Sequence, residues 1–321
     1  MRLIVHIGTE KTGSTTLQAF LNDNREQLAK DGFALFQPEC DATQLVRNNR
    51  HFVAMFQKDN RNDDYFRHHQ LDGDEALNQF RQQVTAEFDQ FLRDLPSDIH
   101  SVVLSSEHFH SRLQSAEEVQ DFADFMKARF DDFRIIGYFR EQSALCRSAY
   151  STAVKSGEKR AFSDYQKMCR PQNHYYNYLR MFRFWRKAFG PKALRTRLFD
   201  KESLRNKDIC RDFLGFRFLN NRLDLNRYNF DQPAYNLSLG PTGLQLILLI
   251  NRLLDVQKIG PKRRHIRREM VLKIANMRGL NNGQVSLKDA SAIYDSFNAQ
   301  NMDFGKVFLR EEKNPFSRPD A

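Results

Sequence analysis

Residues 3–17 restrict this chain more than any other stretch. Leu3-Ile4-Val5-His6-Ile7 is a short apolar run rich in β-branched side chains. That composition suits a strand buried on both faces of a parallel sheet. Gly8-Thr9-Glu10-Lys11-Thr12-Gly13 follows as a tight loop. From Ser14 the period turns helical: Leu17, Phe20, Leu21 and Leu28 share one face, and Lys30-Asp31-Gly32 supplies a stop. A strand that turns through a glycine loop into a helix start aims free backbone N–H groups and the positive end of the helix dipole at one place. Such a place is a ready cradle for a phosphate-like anion.

Gly8 and Gly13 have the spacing of the nucleotide-hydrolase motif G-x-x-x-x-G-K-[ST], but Ser14 stands where that motif has its lysine. The lysine is Lys11, inside the loop, and the hydroxyls of Ser14, Thr15 and Thr16 follow Gly13. This Lys-x-Gly-[Ser/Thr]-Thr pattern after a first strand resembles the 5′-phosphosulfate loop of sulfotransferases, which take 3′-phosphoadenosine 5′-phosphosulfate (PAPS) as donor. The resemblance implies donor binding by Lys11, Thr12, Gly13, Ser14, Thr15 and Thr16. The bland alternative is an ordinary βα turn with two chance glycines.

Further along, Phe33–Phe36 reads as a second strand, and Asp74–Leu95 as a helix with Leu77, Phe80, Val84, Phe88, Phe91, Leu92 and Leu95 on one face. Val102-Val103-Leu104 is a buried strand leading into Ser105-Ser106-Glu107-His108. Ser115-Ala116-Glu117-Glu118 is a capping box that opens another helix, and Phe133–Phe139 is a strand ending at Arg140. Strands alternating with amphipathic helices predict a parallel sheet covered on both faces. In such sheets ligands sit beyond the carboxyl ends of the strands. The loop, Glu107-His108 and Arg140 should therefore meet on one rim. Residues 40–73 are polar and read equally as a substrate-facing flap or a solvated insertion.

The sulfotransferase resemblance extends to Arg140 and Ser148. The family grips the donor's 3′-phosphate with an Arg after a strand and a Ser eight positions on, and a guanidinium fork suits phosphate oxygens. A more diffuse likeness covers Tyr178–Gly190, Leu194–Phe199 and Ile209–Leu214, so the resemblance spans about residues 2–215. Beyond it, Pro241–Leu254, Arg263–Met277 and Leu287–Asn298 are helix candidates. The expected architecture is α/β: a P-loop-like three-layer fold with a parallel sheet flanked by helices and a helical C-terminal third. One domain is expected over residues 1–321, with a core over 1–215 and a mainly helical extension over 216–321.

The formal net charge of +10 points to anionic partners without choosing among them. Cys40, Cys146, Cys169 and Cys210 form no CxxC pair or zinc spacing, which suggests reduced thiols in a cytoplasmic protein. No signal peptide is expected, since the first strand starts at residue 3. No transmembrane segment is expected either: the apolar run Leu244–Leu254 is broken by Asn251 and Arg252. The basic run Lys258–Arg278 reads as a solvated helix face or as a dock for an acidic glycan or membrane surface.

The resemblance thus implies a PAPS-dependent sulfotransferase acting on a hydroxyl, with a carbohydrate or glycan-like metabolite the expected acceptor, no nucleic-acid partner and no metal. Lys11 would steady charge on the bridging oxygen. Glu107 is the expected general base, with His108 beside it and His110 a further possibility. Alternation in an extended segment would point Glu107 and His108 to opposite sides. His6, inside the first strand, reads as a packed core residue. The rivals are a P-loop kinase or nucleotide hydrolase, which would want a lysine at position 14, and a non-enzymatic polyanion binder.

Overall fold

The structure, a computed structural model, describes residues 1–39, 48–58, 63–200, 202–220, 223–232, 239–256, 258–280 and 289–319. Cys40, Arg47, residues 59–62 of the polar stretch and the start of the last expected helix lie outside the described residues.

Five strands form one all-parallel sheet: β1 (Arg2–His6), β2 (Phe33–Leu35), β3 (Ser101–Ser105), β4 (Asp132–Phe139) and β5 (Leu194–Leu198). Their order is β2-β3-β1-β4-β5. The fold is therefore the expected α/β type, a parallel sheet with helices on both faces. β1 lies between β3 and β4, with His6 opposite both Ser105 and Ile136. Its side chains alternate between two cores. Leu3 and Val5 enter one apolar cluster, Ile4 the other.

α1 (Ser14–Asp23) and α2 (Arg25–Lys30) follow the loop. The sequence period suggests one continuous helix, but the chain breaks at Asn24. The Asn24 side-chain amide donates to Phe20 O and Asn229 O, both at 2.9 Å, competing with the helical ladder. Gly32, at φ 87°, then turns the chain into β2.

The polar stretch contains two short helices, α3 (Arg50–Phe56) and α4 (Asp64–His68), so it is not a solvated insertion. Phe52, Val53, Met55, Tyr65 and Phe66 are buried in the main core. Asn49 ties this stretch to the sheet: its amide oxygen accepts from Ser105 N at 2.7 Å, and its amide nitrogen donates to Phe36 O at 3.0 Å. α5 (Gly73–Arg93) buries Leu77, Phe80, Val84 and Phe88, each contributing about 1.5–3 kcal/mol of burial.

After β3 come α6 (His108–Arg112) and α7 (Ala116–Lys127), the latter opened by the Ser115–Glu118 capping box. β4 leads into α8 (Gln142–Ser156), then α9 (Phe162–Tyr165) and α10 (Tyr178–Phe189). α11 (Ile209–Leu214) and α12 (Arg217–Asn220) follow β5. α13 (Pro241–Leu253), α14 (Pro261–Asn276) and α15 (Ala290–Phe304) make up the helical last third. It shares the main core: Leu244, Ile247, Phe297 and Phe304 cluster with Phe139 and Tyr178. A π-helical turn, Gly305–Leu309, and Arg310 at φ 63° send the chain back, so that Phe316 packs beside Phe304 and Tyr178. That return brings residues 315–317 to the strand ends.

Candidate active site

The loop is an extension of β1 beyond its strand. Tyr138 N donates to Gly8 O at 2.7 Å, and Thr9 N to Tyr138 O at 2.8 Å. The Thr12 hydroxyl turns inward and donates to Thr9 O at 2.5 Å, so that side chain is already engaged within the loop. Gly8 and Gly13 have φ 91° and 76°, and Lys11 itself sits at φ 62°. A left-handed lysine carries a backbone cost of about 1–2 kcal/mol. Space at Gly13 is also tight: a Cβ there would lie 3.3 Å from Ile209 and Phe199, which would have to give way slightly. As the N-cap of α1 it provides no side-chain cap, which leaves the helix's positive end to solvent or a ligand.

Arg140 follows directly on β4 and is half-buried. Its Nη1 donates to Lys11 O at 3.4 Å, and the Tyr178 hydroxyl holds Arg140 O at 2.7 Å. Burial, and then the charge of Arg147, push the guanidinium's pKa down. Burial and the charge of Lys11 do the same to Lys155 at the far end of α8. Like charges gathered around the loop are disfavoured until an anion arrives. Arg147 and Lys155 escaped the sequence reading, because nothing in the pattern of α8 says which face meets the loop.

A cavity of about 550 Å³ opens here. Gly13 of the loop, Thr16 of α1, Arg140 and Ala144, and Phe199, Ile209, Lys207 and Phe316 line it. The volume suits a nucleotide-sized ligand, with an apolar part and a few polar groups. Glu141, Asp200 and Asp208 also line it, yet each carboxylate already accepts backbone N–H groups: Glu141 from Ser143 and Ala144, Asp200 from Glu202 and Ser203, Asp208 from Arg211. Ser148 is half-buried on α8, one turn beyond Ala144 and so on the same face.

On the other side of the loop, Glu10 and His108 approach to 3.8 Å, and the Tyr175 hydroxyl donates to Glu10 at 3.0 Å. Burial alone would raise the Glu10 carboxyl, but His108, Lys11 and Arg112 outweigh it and hold it at about 2. Glu107 accepts from the Gln18 amide at 2.7 Å. Its backbone abuts the loop, since a Cβ on Gly8 would stand 3.0 Å from Glu107 Cα. The expected alternation of Glu107 and His108 does not hold. Glu107 has helical φ/ψ and His108 starts α6, so the two are helical neighbours rather than opposite faces of a strand.

His110 is engaged structurally. It is buried, its Nε2 donates to Tyr175 O at 2.9 Å, and its Nδ1 accepts from Glu10 N at 3.4 Å. Burial lowers its pKa to about 4, in keeping with a neutral ring. His6 is a core residue as expected, bonded to Ser105 Oγ at 2.8 Å and edge-on to Tyr138 and Phe213. Behind α6 stands a buried ion pair, Arg50–Asp63 at 2.5 Å, joined by Arg112 at 3.0 Å. Among the described residues no cluster of His, Cys, Asp or Glu could hold a metal ion, and no helix is long and apolar enough to cross a membrane. Cys146, Cys169 and Cys210 are free and buried.

No family model matches this sequence, and no curated protein matches it. Among solved structures the chain is similar to a sulfotransferase from Alicyclobacillus acidocaldarius, at 17% identity over 84% of this chain and 95% of that one, with a TM-score of 0.41.

Proposed function

We propose that the protein is a sulfotransferase that moves a sulfuryl group from PAPS to a hydroxyl, with a carbohydrate or glycan-like metabolite as acceptor. One observation carries the reading. The glycine loop, the open N-terminus of α1 and Arg140 border a single nucleotide-sized cavity, and the lysine of the loop is Lys11 rather than a residue at position 14.

The donor's anionic groups suit the loop amides, Lys11, the Ser14, Thr15 and Thr16 hydroxyls and Arg140, with Ser148 further along α8. Phe199, Ile209 and Phe316 offer apolar surface for its base. In the reaction the acceptor oxygen attacks sulfur and the bridging S–O bond breaks. The products are a sulfate ester and adenosine 3′,5′-bisphosphate. By analogy with phosphoryl transfer, positioning and charge stabilisation dominate. Lys11 would steady the negative charge on the departing oxygen. Glu107, held by Gln18, would take the acceptor's proton. No step of this scheme needs a metal.

The test is a calorimetric titration with adenosine 3′,5′-bisphosphate against ATP, without magnesium. Tight binding of the bisphosphate alone is expected. Preference for ATP with a magnesium requirement would replace this reading with a kinase or hydrolase. Binding of neither ligand, with binding of heparin or DNA, would make the protein a polyanion binder.

A further inference from the structure

The large apolar side chains exposed among the described residues are concentrated on two neighbouring helices. Only Met1 and Val307 lie elsewhere. On α13, Leu246, Leu249 and Leu253 form a stripe at i, i+3 and i+7, and Leu253 is 74% exposed. On α14 and just past it, Ile266, Leu272 and Met277 are each about half exposed. α14 is 16 residues long yet buries only Arg267 and Val271. A soluble surface seldom gathers apolar groups this way without a use for them.

The two helices are fixed in place. Arg267 is buried and donates to Asn251 Oδ1 at 3.0 and 2.7 Å and to Lys155 O at 2.9 Å. Asn251 in turn donates to Val154 O and Glu158 O. The pair is thus bolted to the C-terminal end of α8, and its outer side chains are held out on a rigid base.

The charge around the stripe selects its occupant. Lys262, Arg263, Arg264, Arg268 and Lys273 stand exposed on α14 against one carboxylate, Glu269. An apolar stripe on α13 beside a basic neighbour, α14, combines the two attractions that hold a protein at the headgroup boundary of an anionic bilayer. Two copies of this chain meeting through the same face would set cations against cations. We infer that α13 and α14 dock the protein on a membrane surface rich in anionic lipid, lying on the bilayer without crossing it. This inference stands apart from the sulfotransferase reading, since none of its residues borders the cavity.

Flotation of the full chain with vesicles at low ionic strength tests it. The chain should float with phosphatidylcholine–phosphatidylglycerol vesicles and bind phosphatidylcholine alone at least about ten-fold less well, as several cations acting together require. Leu249→Ser/Leu253→Ser/Ile266→Ser and, separately, Arg263→Glu/Lys273→Glu should each lose about ten-fold or more while melting like the wild type. Substitution at exposed positions leaves the fold intact, and the charge-reversed variant is a second route should the first misfold. Failure of the wild type to bind anionic vesicles would overturn the inference. So would undiminished binding by both variants. A wild-type dimer that becomes a monomer in the serine variant would assign the face to self-association instead.

Discussion

Arg140→Ala separates binding from stability. The Ala variant loses the guanidinium but keeps the backbone carbonyl that Tyr178 holds, so the end of β4 stays anchored. The hydrogen bond from its side chain to Lys11 O is long at 3.4 Å and contributes little. Burial and the nearby Arg147 already disfavour the charge in the free protein. Removing it should therefore leave the melting temperature unchanged or slightly raised. Toward a 3′-phosphate the same guanidinium should contribute about 1.5–3 kcal/mol through charge-assisted bonds, which is about 10- to 150-fold in Kd. Isothermal titration with adenosine 3′,5′-bisphosphate and with adenosine 5′-phosphate measures both numbers. The wild type should prefer the bisphosphate, and the variant should lose that preference. Equal affinities in the wild type, or a variant that melts several degrees lower with its affinity intact, would show that Arg140 is a structural residue.

Three further outcomes follow from the geometry. Lys11→Ala should abolish sulfuryl transfer with the fold intact, because Lys11 holds no core position; near-normal turnover would remove it from the chemistry. Gly13→Ala should cost about 1–2 kcal/mol of stability, from its φ of 76° and from Ile209 and Phe199 at 3.3 Å, and an unchanged denaturant midpoint would contradict that. His6 gives stability a pH dependence: burial lowers its pKa from 6.5 to about 3, so above 6.5 both states are neutral and stability is full. Below 6.5 the unfolded chain takes a proton that the folded chain refuses, and stability should fall by up to about 1.4 kcal/mol per pH unit until the folded pKa is reached. Burial lowers the pKa values of His108, His110 and His174 too, so His6→Met should lessen the fall of urea midpoints between pH 6.5 and 5 without removing it, and an unaltered slope would mean that the other groups cause the loss.

Much of this site is readable in the sequence because it is local. β1, the loop and α1 are consecutive, so their spacing fixes the cradle. Arg140 is legible from its place after β4, given a parallel sheet. The cavity's far wall is not local. Phe316 returns only because Gly305–Leu309 and Arg310 turn the chain back, and Phe199 and Ile209 flank β5 in a region of weak pattern. The polar stretch misled for a related reason. Its Asn, Asp and Arg residues look solvated, but Asn49 bonds to the sheet edge and Arg50 pairs with buried Asp63. Composition does not reveal such pairings, because they depend on partners tens of residues away. The Glu107-His108 dipeptide was misjudged by continuing the period of β3 past the strand end, where Ser106 and Glu107 already turn into α6.

The choice of base rests on that corner. Glu107 leans on the loop, and Gln18, buried on α1, donates to one of its oxygens. A carboxylate so held keeps a fixed orientation while its second oxygen can serve a sugar hydroxyl. His108 sits next to it with Nδ1 facing Glu10 at 3.8 Å, and burial lowers its pKa although Glu107 and Glu10 oppose the shift. It could also accept a proton, with Glu10 stabilising the resulting imidazolium. The two assignments part under isosteric substitution. In Glu107→Gln the amide oxygen can still accept from Gln18, so fold and donor affinity should persist while turnover drops by about 10²–10⁴-fold. In His108→Asn the contact with Glu10 is lost, but turnover should stay within about ten-fold of the wild type, below the contribution a general base supplies. Donor affinity measured on both variants keeps binding defects out of the comparison. If Glu107→Gln retains turnover and His108→Asn loses it at unchanged donor affinity, the proton goes to His108 and Glu107 is a positioning residue for the loop.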